Sequence, residues 1–353
     1  MTVRPQPGWR FAVLLAFVLF GLGSGALWAD NAAAERALMD GRMEEATRTL
    51  QTTLAQNPGD ASAHLLLCRV FYAQEMTDQA IEQCEAATAG NGSDSYLWLG
   101  RVQGAKAAKS NPISAFALAR KVRGSFETAV RLNGANLPAL SDLGEFYVNA
   151  PAIVGGGLDR ARALAPRMLA QSPRRGHQLL ARIAEKAGDA AAAEAELRFA
   201  GRSPEALVDL GFFLVRHRRV DEAVAVLTAA ADADRAHDAA LVDAASTLTL
   251  AGRSPQLAIR CLRDYLSSPA KSDAAPAFKV HLQLGDLLAR SGDRTAAGRE
   301  YAAAASLAPA FASARGRATS NASAARNVPS SEARMDGQPS LRVEQSTGAP
   351  SPA

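Results

Sequence analysis

The sequence predicts an all-α protein, a solenoid of repeated antiparallel helix pairs. The 353-residue chain is 48% hydrophobic but only 6% aromatic. Its apolar residues are mostly alanine and leucine, which lose little side-chain freedom in a helix. A helix with leucine followed by glycine or alanine, a short polar turn, and a helix that holds alanine recur along the chain. Self-similarity of this kind indicates stacked helical repeats.

The first 29 residues have the features of an export signal. Arginines precede an apolar run over residues 11–22, and small residues suited to cleavage end at Ala26 and at Ala29. We predict cleavage, and the second site agrees better with the helical sequence that follows it. The alternative is an uncleaved membrane anchor through residues 11–29, because this stretch approaches spanning length. Either way, we expect the remainder to be periplasmic or secreted.

The repeat has a period of 34 residues where the chain is uninterrupted, as between Ala46 and Ala80. In three units the first helix carries a Leu-Gly pair and the second a central alanine. These pairs are Gly144 with Ala161, Gly211 with Ala223, and Gly285 with Ala297. We expect the two small residues to lie against each other, because a missing side chain lets backbones approach closely.

This pattern resembles the tetratricopeptide repeat family. Residues 207–211 with 220–223, and residues 281–285 with 294–297, match its residue types closely. The resemblance implies a right-handed superhelix of antiparallel helix pairs. We count eight units between residues 30 and 311, with starts near 30, 61, 94, 137, 174, 204, 239 and 277.

Two units are longer than the period. The third has a predicted turn and helix cap at Asn111-Pro112 and Ser114. The fourth contains a glycine-rich loop, 155–157, which we predict to be a flexible insertion with Ile153 and Val154 against the hairpin; an exposed apolar loop that contacts a partner is the alternative. A helix precedes this loop and no Lys-Ser or Lys-Thr follows it, so it lacks the features of a phosphate cradle. Both insertions also resemble those of exported bacterial members of the family.

From residue 312 the pattern stops. Residues 312–353 are rich in Ser, Ala, Pro and Gly and contain few large apolar groups. A segment of this composition buries too little surface to offset the entropy of ordering. We therefore predict a disordered tail over these residues.

The net charge of +4 comes from the two ends of the chain, and the repeat region is neutral. A nucleic-acid partner is disfavoured, because its phosphates require a basic stripe. The five histidines and three cysteines form no metal-binding or catalytic spacing. We predict no enzyme activity, metal or cofactor. Cys68 and Cys84 lie in one predicted hairpin; a bridge is an open alternative, and two buried thiols are favoured.

In the family that the chain resembles, partners bind along the concave face formed by the first helices. Carrying that stripe over gives ten candidate binding residues: Arg69, Tyr72, Arg101, Glu145, Gln178, Arg182, Val208, Phe212, Val215 and Asp286. The three arginines are expected either to clamp a carboxylate or acidic peptide, or to form salt bridges with neighbouring helices. The apolar residues of the sixth unit are either a hydrophobic seat or covered by the next repeat.

The resemblance implies an exported scaffold that binds a protein or peptide partner in its groove without catalysis. The Lys and Asn pattern of members that bind chaperone tails is absent. The alternative is a structural component of an envelope complex, for polymer export or outer-membrane biogenesis, tethered by an uncleaved anchor. Repeat proteins also dimerise through incomplete end units, so the seventh and eighth units are a candidate homodimer interface.

Overall fold

The computed structural model describes residues 30–326, and the surroundings of side chains as far as residue 321. Within that part of the chain there are seventeen α-helices and no strand. The predicted all-α fold is confirmed. The predicted leader, residues 1–29, and residues 327–353 lie outside the described residues.

Sixteen of the helices form eight hairpins, with the odd-numbered helix first in each. The first four hairpins are α1 (30–39) with α2 (Met43–Gln56), α3 (Ala61–Ala73) with α4 (Thr77–Ala87), α5 (Ser93–Ala108) with α6 (Pro112–Leu132), and α7 (Leu137–Asn149) with α8 (Leu158–Gln171). The others are α9 (Pro173–Lys186) with α10 (Ala190–Phe199), α11 (Pro204–Arg216) with α12 (Val220–Ala233), α13 (Ala239–Ala251) with α14 (Pro255–Ser267), and α15 (Ala277–Arg290) with α16 (Arg294–Leu307). The first helices begin at or next to the predicted positions.

Capping residues explain where many of these helices start. The Asp60 carboxylate accepts hydrogen bonds from the backbone N–H of Ser62 and Ala63, at 2.9 and 3.0 Å. Asn111 accepts from the N–H of Ser114 at 3.0 Å, which confirms the predicted turn in the third unit. Such caps satisfy donors that have no partner inside the helix.

The helix-crossing glycines lie directly against large side chains. A Cβ at Gly211 would be 2.7 Å from the Leu227 side chain, and one at Gly285 would be 2.5 Å from the ring of Tyr301. At Gly144 the nearest group is Leu179, which belongs to the next unit. The groups closest to these glycines are therefore large side chains, and the glycine–alanine contacts stay a prediction. Ala161, Ala223 and Ala297 are fully buried. A leucine or aromatic side chain packs against each glycine.

A further helix, α17 (Ala312–Arg326), follows the last hairpin and packs on α16. Ala314 is fully buried, and Phe311 just before the helix makes an edge-on contact with Phe278, with ring centroids 5.3 Å apart. The predicted disorder is wrong for residues 312–326. Both helices are rich in alanine, so they approach closely and pack without the large apolar groups on which the prediction relied.

Cys68 and Cys84 form a disulfide that joins α3 to α4, with their Cα atoms 5.2 Å apart. Both side chains are fully buried. The preference for two thiols is therefore wrong, because the hairpin brings these two positions face to face. Cys261 is a buried free cysteine, and burial raises the pKa of its thiol to about 11.

The glycine-rich insertion of the fourth unit forms a compact turn. The N–H of Gly157 donates to the carbonyl of Tyr147 at 2.8 Å. A Cβ at Gly156 would lie only 1.8 Å from the carbonyl oxygen of Ala150, so this position requires glycine. Val154 is buried as predicted, whereas Ile153 is 76% exposed and its predicted packing is wrong.

The two ends of the solenoid contact each other. Arg69 on α3 forms an ion pair at 2.8 Å with Asp273, which lies between α14 and α15. The carboxylate of Glu44 accepts from the N–H of Ala310 at 2.9 Å. The described helices include none that is long and apolar enough to cross a membrane.

The backbones of the first and last units also approach each other closely. A Cβ at Gly41, in the turn between α1 and α2, would lie 3.0 Å from the amide nitrogen of Phe278. We refer to this set as the terminal contact: Gly41, Glu44, Arg69, Asp273, Phe278 and Ala310. Through it the hydrophobic cores of the first and last units become one cluster.

Candidate binding groove

The first helices of units four to six line two adjoining depressions. The larger, of about 140 Å³, lies mainly between α7 and α9, and a smaller one of about 30 Å³ lies between α9 and α11. Gln178 and Arg182 border both, so the two form one surface. We call it the central groove and define it by Ser141, Asp142, Glu145, Arg175, Gln178, Arg182, Asp209, Phe212 and Arg216.

Four of the ten residues predicted from the sequence line this groove: Glu145, Gln178, Arg182 and Phe212. Phe212 is 36% exposed, and the guanidinium of Arg216 lies 5.0 Å from its ring centroid. The amide of Gln178 donates to Asp209 at 2.7 Å. The groove therefore combines one accessible aromatic ring with hydrogen-bond donors and acceptors.

The other apolar candidates of the sixth unit are not available at the surface. Val208 is only 7% exposed and belongs to the large hydrophobic cluster, and Val215 is half-buried against a separate, smaller cluster. Tyr72, far from the central groove in the sequence, makes an edge-on contact with Trp98, with centroids 5.6 Å apart. Asp286 accepts hydrogen bonds from Tyr301 at 2.9 Å and from Arg317 at 2.8 Å.

The three predicted arginines all form salt bridges within the chain. Arg101 pairs with Asp142 at 2.6 Å and Arg182 with Glu145 at 3.1 Å. The distances for Arg69 are 3.0 Å to Glu35 and 2.8 Å to Asp273. Of the two alternatives left open by the sequence, the salt bridge to a neighbouring helix is the one found at each arginine.

Arg175 is a groove residue that the sequence analysis missed. It lines the larger depression, and among the described residues its side chain makes no hydrogen bond or ion pair. Burial, reinforced by the adjacent charge of Arg174, lowers the pKa of Arg175. The signal was available in the sequence, because Arg175 lies three residues before Gln178 and so continues the same face of α9 by one turn.

Two acidic residues lie near Arg175: Asp209, which already has an ion-pair partner, and Asp243 on α13. Arg174 forms an ion pair with Asp209 at 3.0 Å, although burial still raises the pKa of Asp209. Asp243 on α13 has its pKa raised by burial and then by Asp209 and Asp238. The hydroxyl oxygen of Ser141, also in the groove, is buried without a hydrogen-bond partner.

Three histidines on first helices bond to the second helix of their own hairpin. His177 bonds to Glu196 and His281 to Glu300, both at 2.7 Å, and each bond joins the two helices of one hairpin. His64 makes the equivalent bond to Gln83 at 2.7 Å. Across residues 30–326 no group of three or more His, Cys, Asp or Glu side chains is placed to hold a metal ion.

Comparison with known proteins supports the repeat assignment. A family model described as "Tetratricopeptide repeat" matches residues 37–107. No curated protein matches the chain. The resemblance to tetratricopeptide repeats is therefore confirmed by a match to part of the chain, together with its helical architecture.

Solved structures that match the chain include two described as tetratricopeptide proteins. TTC0263, a thermophilic TPR protein of Thermus thermophilus, is 20% identical, with 55% of this chain and 99% of that one covered and a TM-score of 0.42. Yeast Tom70 is 16% identical, with 80% of this chain and 59% of that one covered and a TM-score of 0.48. A tetratricopeptide repeat protein from Parabacteroides merdae ATCC 43184 is 10% identical, with 84% and 99% covered and a TM-score of 0.39.

Proposed function

Because the chain has the tetratricopeptide-repeat fold, we propose that it is a non-catalytic scaffold that binds a protein or peptide partner in the central groove. Repeat solenoids present extended surfaces to partners. The observation that carries the proposal is Phe212, an exposed ring held next to Arg216 on the wall of a depression. Aromatic and arginine side chains dominate the binding energy of protein interfaces.

A pull-down from native cell fractions tests this proposal. The bait is the chain itself, compared with Phe212→Ala and with Phe199→Ala as a matched control. Phe199 is a similar exposed ring, 71% accessible, but it ends α10 and lies outside the groove. We expect a partner that Phe212→Ala loses and Phe199→Ala retains. A partner retained equally by both folded variants would contradict groove binding.

We also propose that the protein is exported. The signal-like residues 1–29 support this, and so does the Cys68–Cys84 disulfide, since such bonds persist mainly in oxidising compartments. Mass spectrometry of protein from separated cell fractions tests the proposal. Periplasmic or secreted protein that begins after Ala26 or Ala29 would support it, whereas cytoplasmic protein with reduced cysteines would contradict it.

The same measurement bears on the alternative function. An intact leader in the membrane fraction would favour a tethered component of an envelope complex over a freely exported scaffold. Homodimerisation through the seventh and eighth units stays a prediction. In the eighth unit α17 packs on α16, so that helix is already partly covered within one chain.

A further inference from the structure

The third hairpin projects beyond its neighbours. Its second helix, α6, contains 21 residues, whereas the second helices α2, α8 and α12 contain 14 each. At 1.5 Å per residue, the difference adds roughly 10 Å of helix. The buried residues of α6 begin only at Val122, so the extra length lies at the start of the helix. We call residues 111–117, where α6 begins, the third-hairpin tip.

The third-hairpin tip exposes large apolar side chains to water. Ile113 is 86% exposed and Phe116 40%. They are three positions apart on α6, so they are neighbours on one side of the helix. Pro112 and Ala117 beside them are exposed as well. A single exposed apolar residue is ordinary, but a cluster at a projecting point indicates contact with another molecule.

The charge around the tip is one-sided. Residues 95–126 contain six basic residues and no acidic one. Arg120 and Lys121 are exposed and form no ion pair among the described residues. They lie one turn of α6 after Phe116 and Ala117, so they stand directly behind the apolar cluster. The other four basic residues have acidic partners: Arg101 with Asp142, Lys106 with Asp78, Lys109 with Glu75, and Arg123 with Glu127.

We propose that the third-hairpin tip inserts into the surface of an anionic phospholipid membrane. Ile113 and Phe116 enter the boundary of the acyl chains, and Arg120 and Lys121 bind the phosphates of the headgroups. Four residues of helix separate these two levels by roughly 6 Å, which agrees with the depth of about 5–10 Å to which interfacial helices bury their apolar face. Basic residues close to the surface add electrostatic attraction to anionic lipids.

The shape of the tip favours a lipid surface over a protein. A stable protein interface uses about 20–30 residues on each side, whereas the tip is a short convex point. A bilayer surface adapts to such a point and covers it from all sides. The tip lies on the second helix α6, whereas the central groove is formed by the first helices α7, α9 and α11. Membrane contact is therefore independent of the proposed partner binding in the groove.

A fluorescent label on the tip tests the proposal in the full chain. Ile113→Cys provides the attachment site for an environment-sensitive fluorophore. The native cysteines do not compete, because Cys68 and Cys84 form a disulfide and Cys261 is buried with its pKa raised to about 11. Emission is followed during titration with vesicles of phosphatidylcholine, with or without an equal part of phosphatidylglycerol. The label reports its own surroundings, so the result does not depend on whether residues 1–29 are retained.

We expect the emission to shift to the blue with the anionic vesicles, because the label leaves water. Partitioning into the neutral vesicles should be roughly 25-fold weaker, since each basic residue near an anionic surface contributes about fivefold. Combined Arg120→Gln and Lys121→Gln substitutions in the labelled chain should remove this preference. Phe116→Ala should weaken partitioning roughly tenfold, because less apolar surface is buried.

Two controls separate the tip from the rest of the surface. A label on Leu250→Cys, at a residue of α13 that is 63% exposed, should keep its emission with both kinds of vesicle. Combined Arg253→Gln and Arg290→Gln substitutions remove two exposed charges elsewhere and should leave the partitioning of the tip label unchanged. Circular dichroism melting curves should be the same for all variants, because the substituted side chains are exposed.

Three results would overturn the proposal. Emission that does not change with vesicles, or changes equally with both kinds, would exclude recognition of an anionic surface. A blue shift that grows with protein concentration in the absence of lipid would show that a second copy covers the tip. A pull-down partner lost in Phe116→Ala, without any binding to vesicles, would show that the tip is a protein interface. None of these results affects groove binding, which Phe212→Ala tests separately.

Discussion

At the scale of single residues, glycines set how closely the two helices of a hairpin approach. On α5, a Cβ at Gly100 would lie 2.4 Å from the ring of Phe126, whereas one at Gly104 would meet nothing within 4 Å. We expect Gly100→Ala to lower the free energy of unfolding by about 1–3 kcal/mol, because it overpacks the core. Gly104→Ala should raise it by about 0.5–1 kcal/mol, because alanine restricts the unfolded chain.

Urea denaturation of the two variants measures both changes, and each is the other's control because the two positions lie one turn apart on the same helix. Opposite signs support the contact with Phe126. If Gly100→Ala were neutral or stabilising, the ring would have room to move and the close packing described for the third unit would be wrong.

Buried tyrosines make the stability of the fold depend on alkaline pH. Burial, together with a hydrogen bond at 2.9 Å to Glu127, raises the pKa of Tyr147 to about 12, against about 10 in an unfolded chain. The neutral phenol is therefore the form favoured by folding. Its stabilising contribution is complete below about pH 10 and is lost as the pH rises towards about 12.

We expect the free energy of unfolding to fall less steeply between about pH 10 and about pH 12 in Tyr147→Phe than in the wild type. Denaturant titrations at several pH values, with phenolate absorbance followed in parallel, provide the measurement. Burial and a bond to Asp286 raise the pKa of Tyr301 to about 12 as well, so part of the slope should remain. Parallel slopes for variant and wild type would contradict the role of Tyr147.

At the scale of elements, the disulfide fixes the second hairpin. Cys68 and Cys84 are separated by 16 positions in the sequence. Closing a loop of this size restricts the unfolded chain by about 3 kcal/mol in the chain-entropy model. We expect reduction to lower the free energy of unfolding by about this amount, measured by urea denaturation with and without reductant.

Cys261→Ala is the matched control, because it removes the free thiol and leaves the bridge in place. This variant should respond to reductant as the wild type does. If the reductant had no effect on the unfolding of either protein, while alkylation showed that the two cysteines had been reduced, the bridge would contribute nothing to stability.

The helices themselves could be predicted because their signals are local. Pro112 begins α6 and Asn111 caps it, and both are visible in a few consecutive residues. The helix α17 could not be predicted in this way. Its stability comes from contact with α16 rather than from large apolar residues of its own. A disulfide between two buried cysteines likewise depends on the distance across a hairpin, and this distance cannot be predicted from composition.

At the scale of the whole molecule, the repeat spacing predicts which side chains share a face of the solenoid. It does not predict which side chain each of them contacts. The spacing located Gln178 and Arg182 on one face of α9, and both line the groove. The assignment of an acid to Arg182, and of none to Arg175, depends on how adjacent first helices are rotated and staggered. A repeat pattern specifies contacts between neighbouring units, so it also gave no indication that Arg69 meets Asp273.

That long-range ion pair leads to a prediction about overall shape. Arg69 is substantially buried, and Asp273 and Glu35 raise its pKa although burial opposes them. The carboxylate of Asp273 lies 2.8 Å from Nε of Arg69. Asp273→Lys would replace this negative charge by a positive one next to Arg69, and like charges in a partly buried site repel strongly. We expect the terminal contact to open, with a larger radius of gyration in small-angle X-ray scattering and unchanged helix content.

Asp159→Lys is the control, because Asp159 is a fully exposed carboxylate on α8 whose only described ion pair is with Arg162 on the same helix. Its scattering should match that of the wild type. If Asp273→Lys scattered identically too, the terminal contact would hold without this ion pair. Closure would then depend on the close approach of Gly41 to Phe278 and on the hydrophobic core that the two ends share, since these contacts do not involve charge.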